Sequence, residues 1–363
     1  MFKQCCGGAS AAALVLVGLL TMAAPPAQAC GCGAYLPREG EAHVAEERAL
    51  IRWDGHTEDI VMELSVAGRS KEAAWILPVP AHATVKLSDP RLFDALQELT
   101  KPAVREQKVG PRDAMTGGAP TGGAPPVTLL ERQALGPFDV STLAATDATA
   151  LATWLTSNGY QFPEQLGNVL TPYVKQQWFY VAVRLTPAQS GGALAGKLDP
   201  LWVTFASDKI IYPMRASALA RDPLPVFLYV LAAHRAGDPD RWYDSDEPAE
   251  PRPSFVKFAN WVAPTSLPTD SPLAPFVTHT LFLTKFDIYI GNPAAISNDL
   301  VFPLAARDET YRDTELRYVY DPNYDSSKAT LRELGGIGLL VLVALGGLFA
   351  MAWTARWWKL RHH

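Results

Sequence analysis

From Leu334 to Ala355 the chain runs 22 residues without a charge, between Glu333 and Arg356. That is too long and too apolar for an ordinary buried helix, and it is long enough to cross a bilayer with some tilt. Trp353, Trp357 and Trp358 are placed as an interfacial aromatic belt, and Arg356, Lys359 and Arg361 follow them. Basic residues flank membrane spans on the cytoplasmic side, so the eight-residue tail 356–363 is expected inside the cell. Gly335, Gly336, Gly338, Gly346, Gly347 and Ala350 give the run small-residue faces of the kind that pair membrane helices.

The other end reads as a secretory signal. Lys3 supplies a short positive region, Ala11 to Met22 is apolar, and Ala27-Gln28-Ala29 fits an A-x-A cleavage site. The signal is expected to span 1–29, leaving a mature chain that begins at Cys30. An uncleaved anchor competes with this reading, but its apolar run is shorter than the ~20 residues a span needs. Lipidation at Cys30 also competes, although Gln28 is bulky where a small residue is wanted. Together the ends predict a single-pass protein of type I in the cell membrane. Its body, 30–306, lies outside the cytoplasm, and a polar stalk, 307–333, leads to the span at 334–355.

Charge bears on what such a body would touch. The chain has 32 basic and 37 acidic residues. Lys3, Arg356, Lys359 and Arg361 are the only charges in the two ends, so the body and stalk hold 28 basic against 37 acidic residues, a net of −9. That excludes an electrostatic case for nucleic acid and argues against a body lying flat on anionic lipid. The membrane, through the C-terminal helix, is the one partner the sequence identifies. A protein or envelope partner is left unnamed.

Within the body the pattern is strands with a few inserted helices. Arg48 to Trp53 leads into Asp54-Gly55, a hairpin-turn pair, and Ile60, Met62, Leu64 and Val66 then alternate on one face. Ala73 to Leu77 is a third strand, ended by Pro78-Val79-Pro80. Ile60–Val66 and Ala73–Leu77 are expected to pair in the core sheet, with Trp75 buried. A helix follows, capped by Ser88 or Asp89, with Leu92, Leu96 and Leu99 on one face, Phe93 beside them, and Lys101-Pro102 as its stop. Two more helices are expected. One runs from Thr146 or Asp147 to Asn158-Gly159, carrying Leu151, Trp154 and Leu155. The other opens at Pro163-Glu164 and carries Leu166, Val169, Leu170 and Tyr173. Strands resume at 178–185, 201–206, 210–216, 226–233 and 278–290. Residues 110–126 are Gly- and Pro-rich and predict a flexible loop, and 236–275 predict a long, proline-rich surface excursion. Regular βαβ alternation is missing, so the fold class is α+β: a strand-rich extracytoplasmic domain with few helices.

Several of these runs resemble a known family. Glu-Arg-Ala-Leu-Ile-Arg-Trp-Asp-Gly at 47–55, Ala-Ala-Trp-Ile-Leu-Pro-Val-Pro at 73–80, Trp154-Leu155-Thr156-Ser157-Asn158-Gly159-Tyr160 and Trp178 to Leu185 are similar to the bacterial family of exported proteins called domain of unknown function 2330. The resemblance covers most of 30–305. It implies an exported protein with a C-terminal anchor and carries no catalytic residue.

Chemistry-bearing residues are sparse. Standard constellations are absent: no G-x-S-x-G, H-E-x-x-H, P-loop or complete G-x-G-x-x-G occurs. Cys30 and Cys32 are the disulfide candidates. An oxidising compartment favours a bridge, either local or to a second chain. A redox pair, which lacks a C-x-x-C spacing, and a metal site completed by a distant His are the sharper alternatives. Three polar clusters stand out: Glu39, Glu41, His43, Glu46 and Glu47; then Asp54, His56, Glu58 and Asp59 at the hairpin turn; then Asp238, Asp240, Asp244, Asp246 and Glu247 around Trp242-Tyr243. His43 and Glu47 would share a face on a helix, as a metal pair needs, but strand pattern follows directly. A solvated surface is the plain reading of the first cluster, ordinary turn polarity that of the second, and weak calcium binding the sharper reading of the third, which lacks an EF-hand glycine. No cofactor and no resident metal are expected. The whole reads as a membrane-tethered binding or envelope-structural module, with an extracytoplasmic enzyme, a hydrolase or a thiol-disulfide protein, as the alternative.

Overall fold

The computed structural model describes residues 28–30, 33–38, 42–109, 138–144, 148–160, 164–187, 192–243 and 255–321. The expected loop 110–126, Cys32, the span at 334–355 and the tail lie outside them. Among the described residues no helix is long and apolar enough to cross a membrane.

Two sheets face each other. The first has the order β1 (Gln28–Cys30), β2 (Gly33–Pro37), β5 (Ala73–Val79), β9 (Phe179–Leu185) and β8 (Phe138–Ala144), antiparallel throughout. The second is built around β3 (His43–Trp53) and β4 (Thr57–Ser70). It runs β17 (Tyr311–Arg312), β14 (Val256–Val262), β15 (Leu281–Ile290), β13 (Leu224–Ala232), β3, β4, β11 (Leu201–Ala206) and β6 (Thr84–Leu87), with β10 (Leu194–Lys197) also beside β4. Only β13 and β3 pair in parallel in this sheet. The 14 residues of β4 exceed the reach of one neighbour: β11 lines Thr57–Met62 and β10 lines Ser65–Ser70.

Period-two alternation sorts the side chains. Ile60, Met62, Leu64 and Val66 of β4 meet Trp75, Leu77, Val181 and Val183 of the first sheet in the central core. The outer face of the first sheet, with Ala74, Ile76 and Tyr180, is covered by α2 (Ala148–Ser157) and α3 (Glu164–Lys175) through Leu151, Leu155, Leu166, Leu170 and Tyr173. The outer face of the second, with Leu50, Val61, Tyr229 and Leu283, is covered by α1 (Leu92–Leu99) and the segment 262–281 through Leu92, Phe93, Leu96, Leu273 and Phe276. Four layers result, helix, sheet, sheet, helix, in a mostly-β α+β domain in which 48% of the described residues are strand. Because both faces of its sheet are covered, β5 is buried at every residue and reads as a continuous apolar run.

The hairpin forms as the alternation predicts, with Ile51 opposite Ile60. Trp75 is buried. The expected pairing of Ile60–Val66 with Ala73–Leu77 does not occur: β4 and β5 lie in different sheets and face each other across the core. The chain changes sheet at residues 71–72. There Glu72 accepts from Arg38 Nη1 at 2.8 Å and from Arg184 Nη2 at 3.1 Å, and the Ser70 hydroxyl donates to the Glu72 carbonyl. Those guanidinium contacts outweigh slight burial and hold the Glu72 carboxyl below the usual range.

Two further segments differ from their expected form. Inside 236–275, Val256–Val262 is a sheet strand between β15 and β17. Inside 307–333, Thr314–Tyr320 is a strand, β18, paired in parallel with β7 (Ala103–Val109). This two-stranded ribbon stands apart from both sheets, and its described side chains are exposed. Its root is tied to the body: Ala103 N–H donates to the Asp313 carbonyl, Arg312 Nη2 to the Leu99 carbonyl, and Lys257 pairs with Asp313 at 3.2 Å.

Candidate functional site

Glu47 of β3 and Glu58 of β4 share the inward parity of Ala49, Ile51 and Ile60, so the alternation that builds the core also carries two carboxyl groups into it. Both reach β12 (Ile210–Tyr212), a short strand that pairs with β16 (Leu300–Phe302). The Tyr212 hydroxyl donates to Glu47 Oε1, and Ile211 N–H donates to Glu58 Oε2 at 3.0 Å. A third buried carboxylate, Asp299, holds the residues that follow. Its Oδ1 accepts from the Tyr173 hydroxyl at 2.5 Å, from Met214 N–H at 2.8 Å and from Arg215 N–H at 3.3 Å. Arg215 continues outward to the Ser297 carbonyl and Asn298 Oδ1. Burial drives the Glu58 carboxyl well above the usual carboxylate range; the Ile211 N–H and Ser207 hydroxyl offset it in part, and Asp59 beside it adds to it. Burial also raises the Tyr173 hydroxyl, with the Asp299 charge adding to it.

Chemically these three carboxyls act as struts. Each is spent on a backbone amide or a tyrosine hydroxyl of the 211–215 segment, and each is closed to solvent. They bind the β12–β16 end piece to the second sheet and to α3, and so join the central core to the helical one.

The hairpin cluster divides in the same way. Asp54 is slightly buried, but Thr57 and His56 N–H groups at 2.8 and 3.1 Å, with Arg52, outweigh that and hold its carboxyl low. Asp59 faces the outer side and accepts from Trp202 Nε1 at 2.8 Å, Thr204 Oγ1 at 2.6 Å and Arg52 Nη1 at 3.2 Å. Above it, Lys86 Nζ lies 3.5 Å from the Trp202 ring centroid, and Trp202 packs on Phe276. His56 and Glu58, two residues apart, are separated by solvent exposure on one side and full burial on the other.

The first cluster is not a helix face. His43, Glu46 and Glu47 lie on β3, with a register shift between Val44 and Glu46, and His43 and Glu47 form no metal pair, while Glu39 and Glu41 lie outside the described residues. Glu47 is buried rather than solvated, which contradicts the plain surface reading of that residue; its inward register was visible in the strand parity. In the acidic run, Asp238 accepts from Phe255 N–H and Trp242 is buried, while Asp244, Asp246 and Glu247 lie outside the described residues. Among the described residues no group of three His, Cys, Asp or Glu is placed to hold a metal. Cys30 ends β1 opposite Gly33, and Cys32 lies outside the described residues.

One histidine meets a distant carboxylate. His234 Nδ1 lies 2.9 Å from Asp308 Oδ2, and Asp308 Oδ1 accepts from Arg235 N–H. These contacts hold the Asp308 carboxyl below its ordinary range. The pair is exposed, and among the described residues no hydroxyl or thiol hydrogen-bonds to His234.

The feature that sequence reading missed altogether is the ribbon. In its parallel register Leu316 stands beside Arg105 and Tyr318 beside Gln107, so these side chains share one face with Tyr320, while Val104, Glu106, Lys108, Glu315, Arg317 and Val319 occupy the other. Leu316, Tyr318 and Tyr320 are 46%, 63% and 59% exposed, far more than a lone surface apolar residue requires explaining. The alternation Thr-Glu-Leu-Arg-Tyr-Val-Tyr was the available signal, hidden by the charges around it.

Fold and polar sites together define a strand-rich α+β domain whose buried carboxylates are structural and whose conspicuous free surface is an aromatic ribbon. The chain belongs to the bacterial family described as an uncharacterized protein conserved in bacteria, DUF2330, whose model matches residues 26–303. No curated protein matches the chain. Among solved structures it is similar to baculovirus P35, with 12% identity, a TM-score of 0.40, and coverage of 74% of this chain and 99% of that one. It is also similar to a mutated baculovirus P35 after caspase cleavage, with 9% identity, a TM-score of 0.34, and coverage of 72% and 100%. Likeness this distant says nothing of what the chain binds.

Proposed function

We propose that the protein is a membrane-anchored, extracytoplasmic binding or envelope-structural module: a rigid four-layer body, presented outside the cytoplasmic membrane and held by the helix 334–355. The observation that carries this reading is the ribbon. Both its strands leave the body at their first residues and run outward together, and β18 ends at Tyr320, with 13 residues between it and the start of the uncharged run at Leu334. The part of the body nearest the expected span is therefore an exposed aromatic arm. The carboxylates that an enzyme would use are committed to hydrogen bonds inside the core, which also supports the module over the catalyst. The His234–Asp308 pair is the specific observation favouring the enzyme. Loss of function in a His234→Ala protein that still folds would bring that reading forward.

Truncation tests the anchoring. A chain ending at Asp321 keeps every strand and helix among the described residues. It is expected in the soluble fraction, whereas the full chain stays with membranes through a carbonate wash. Carbonate release of the full chain, or membrane retention of the truncated one, would contradict the proposal.

A further inference from the structure

We propose that the ribbon face bearing Leu316, Tyr318 and Tyr320 rests in the lipid headgroup layer of the membrane that holds residues 334–355. This rests on the anchored reading above. Three observations support it. First, the face is amphipathic in the sense that suits an interface: two tyrosines, each an apolar ring with a polar tip, a leucine, and Arg105, with no carboxylate among these neighbours. Arg105 is exposed, so its guanidinium can reach a lipid phosphate. Second, the opposite face carries four charges, Glu106, Glu315, Lys108 and Arg317, beside Val104 and Val319, and so is more strongly hydrated than the tyrosine face. Third, the chain leaves the ribbon at its outer end, and residues 322–333 lie between it and Leu334. Those 12 residues span at most ~43 Å even fully extended.

The tether changes the arithmetic. Three side chains of this size would hold a free protein on lipid only weakly. Joined to a span by a short linker, the ribbon meets lipid at a local concentration in the mM range, where weak contact suffices. The net charge of −9 over body and stalk repels anionic lipid and restricts the contact to this face. The ribbon, about 23 Å long at ~3.3 Å per residue over seven residues, then fixes the body's tilt and height above the bilayer.

The test uses the full chain in membranes of cells that produce it. Tyr318, Val319 and Leu345 are replaced one at a time by the photoreactive residue p-benzoylphenylalanine, and adducts are read by mass spectrometry after illumination. Phospholipid adducts at 318 and 345, with several times fewer at 319, are the expected result. Lipid adducts at 345 but none at 318, or an adduct at 318 to another protein or to a second copy of this chain, would overturn the ribbon contact and leave the span intact. Lipid adducts at 318 without any at 345 would overturn the span and leave the ribbon contact standing.

Discussion

A carboxyl group sealed between two sheets works against the fold at any pH where it would ionise in water. Glu58 is such a group, fully buried and raised well above its ordinary range by that burial. Below its unfolded pKa, near 4.5, both states carry the proton and burial of charge costs nothing. As pH rises past that value the unfolded chain gives up the proton while the folded one keeps it, so stability falls until the folded pKa is reached. Glu58→Gln keeps an acceptor for Ile211 N–H and removes the proton linkage. The variant should be more stable than the parent, with a gap in urea midpoint that is small at about pH 5 and larger at about pH 7.5. A gap independent of pH would contradict the burial argument. Carboxyls held low near the surface, such as Glu72 and Asp54, work in the other sense and lose their contribution as pH falls. Trp75 gives the apolar counterpart: it is 3% exposed and packed between the sheets, so Trp75→Ala should cost about 3–5 kcal/mol in the same titration.

Among elements, the end piece β12–β16 depends on the carboxylate that holds its neighbours. Asp299→Ala would leave a buried tyrosine hydroxyl and two N–H groups without their acceptor, and the Arg215 guanidinium without its paired charge. A loss of about 3–5 kcal/mol is expected, measured by chemical denaturation, with Asn recovering part of it. A cost under about 1 kcal/mol would show that the strut is dispensable. Which elements the sequence disclosed follows from the same physics. The β3–β4 hairpin was legible because period-two alternation flanks an Asp-Gly turn, and α1, α2 and α3 because of their apolar stripes, although the N-cap of α1 is Arg91, with no side-chain cap, and not Ser88 or Asp89. What escaped was every decision made by tertiary partners. Nothing local in Ser70 to Ala73 says that the chain leaves one sheet for the other; the Arg38 and Arg184 contacts that settle it come from distant strands. Val256–Val262 was hidden between prolines, and Thr314–Tyr320 among charges. The interior struts were half visible: Glu47 and Glu58 sit at inward positions of recognised strands, but their partner Tyr212 lies far along the chain.

At the scale of the molecule, a body of four layers needs no catalytic cleft to be useful; it needs to be stiff, soluble and correctly placed. Stiffness comes from two buried sheets and three interior carboxylates. The residues outside the two ends carry a net charge of −9, which favours a hydrated surface. Placement is the task assigned to the ribbon and to residues 334–355, and it is the part of the account on which the functional reading stands. The most direct measurement is protease treatment of cells stripped of any outer layer, followed by mass analysis of the washed membranes. The account predicts that the body is digested from outside and that a small membrane-bound fragment containing 334–363 survives. Protection of the body until the membrane is broken, or survival of no such fragment, would contradict it.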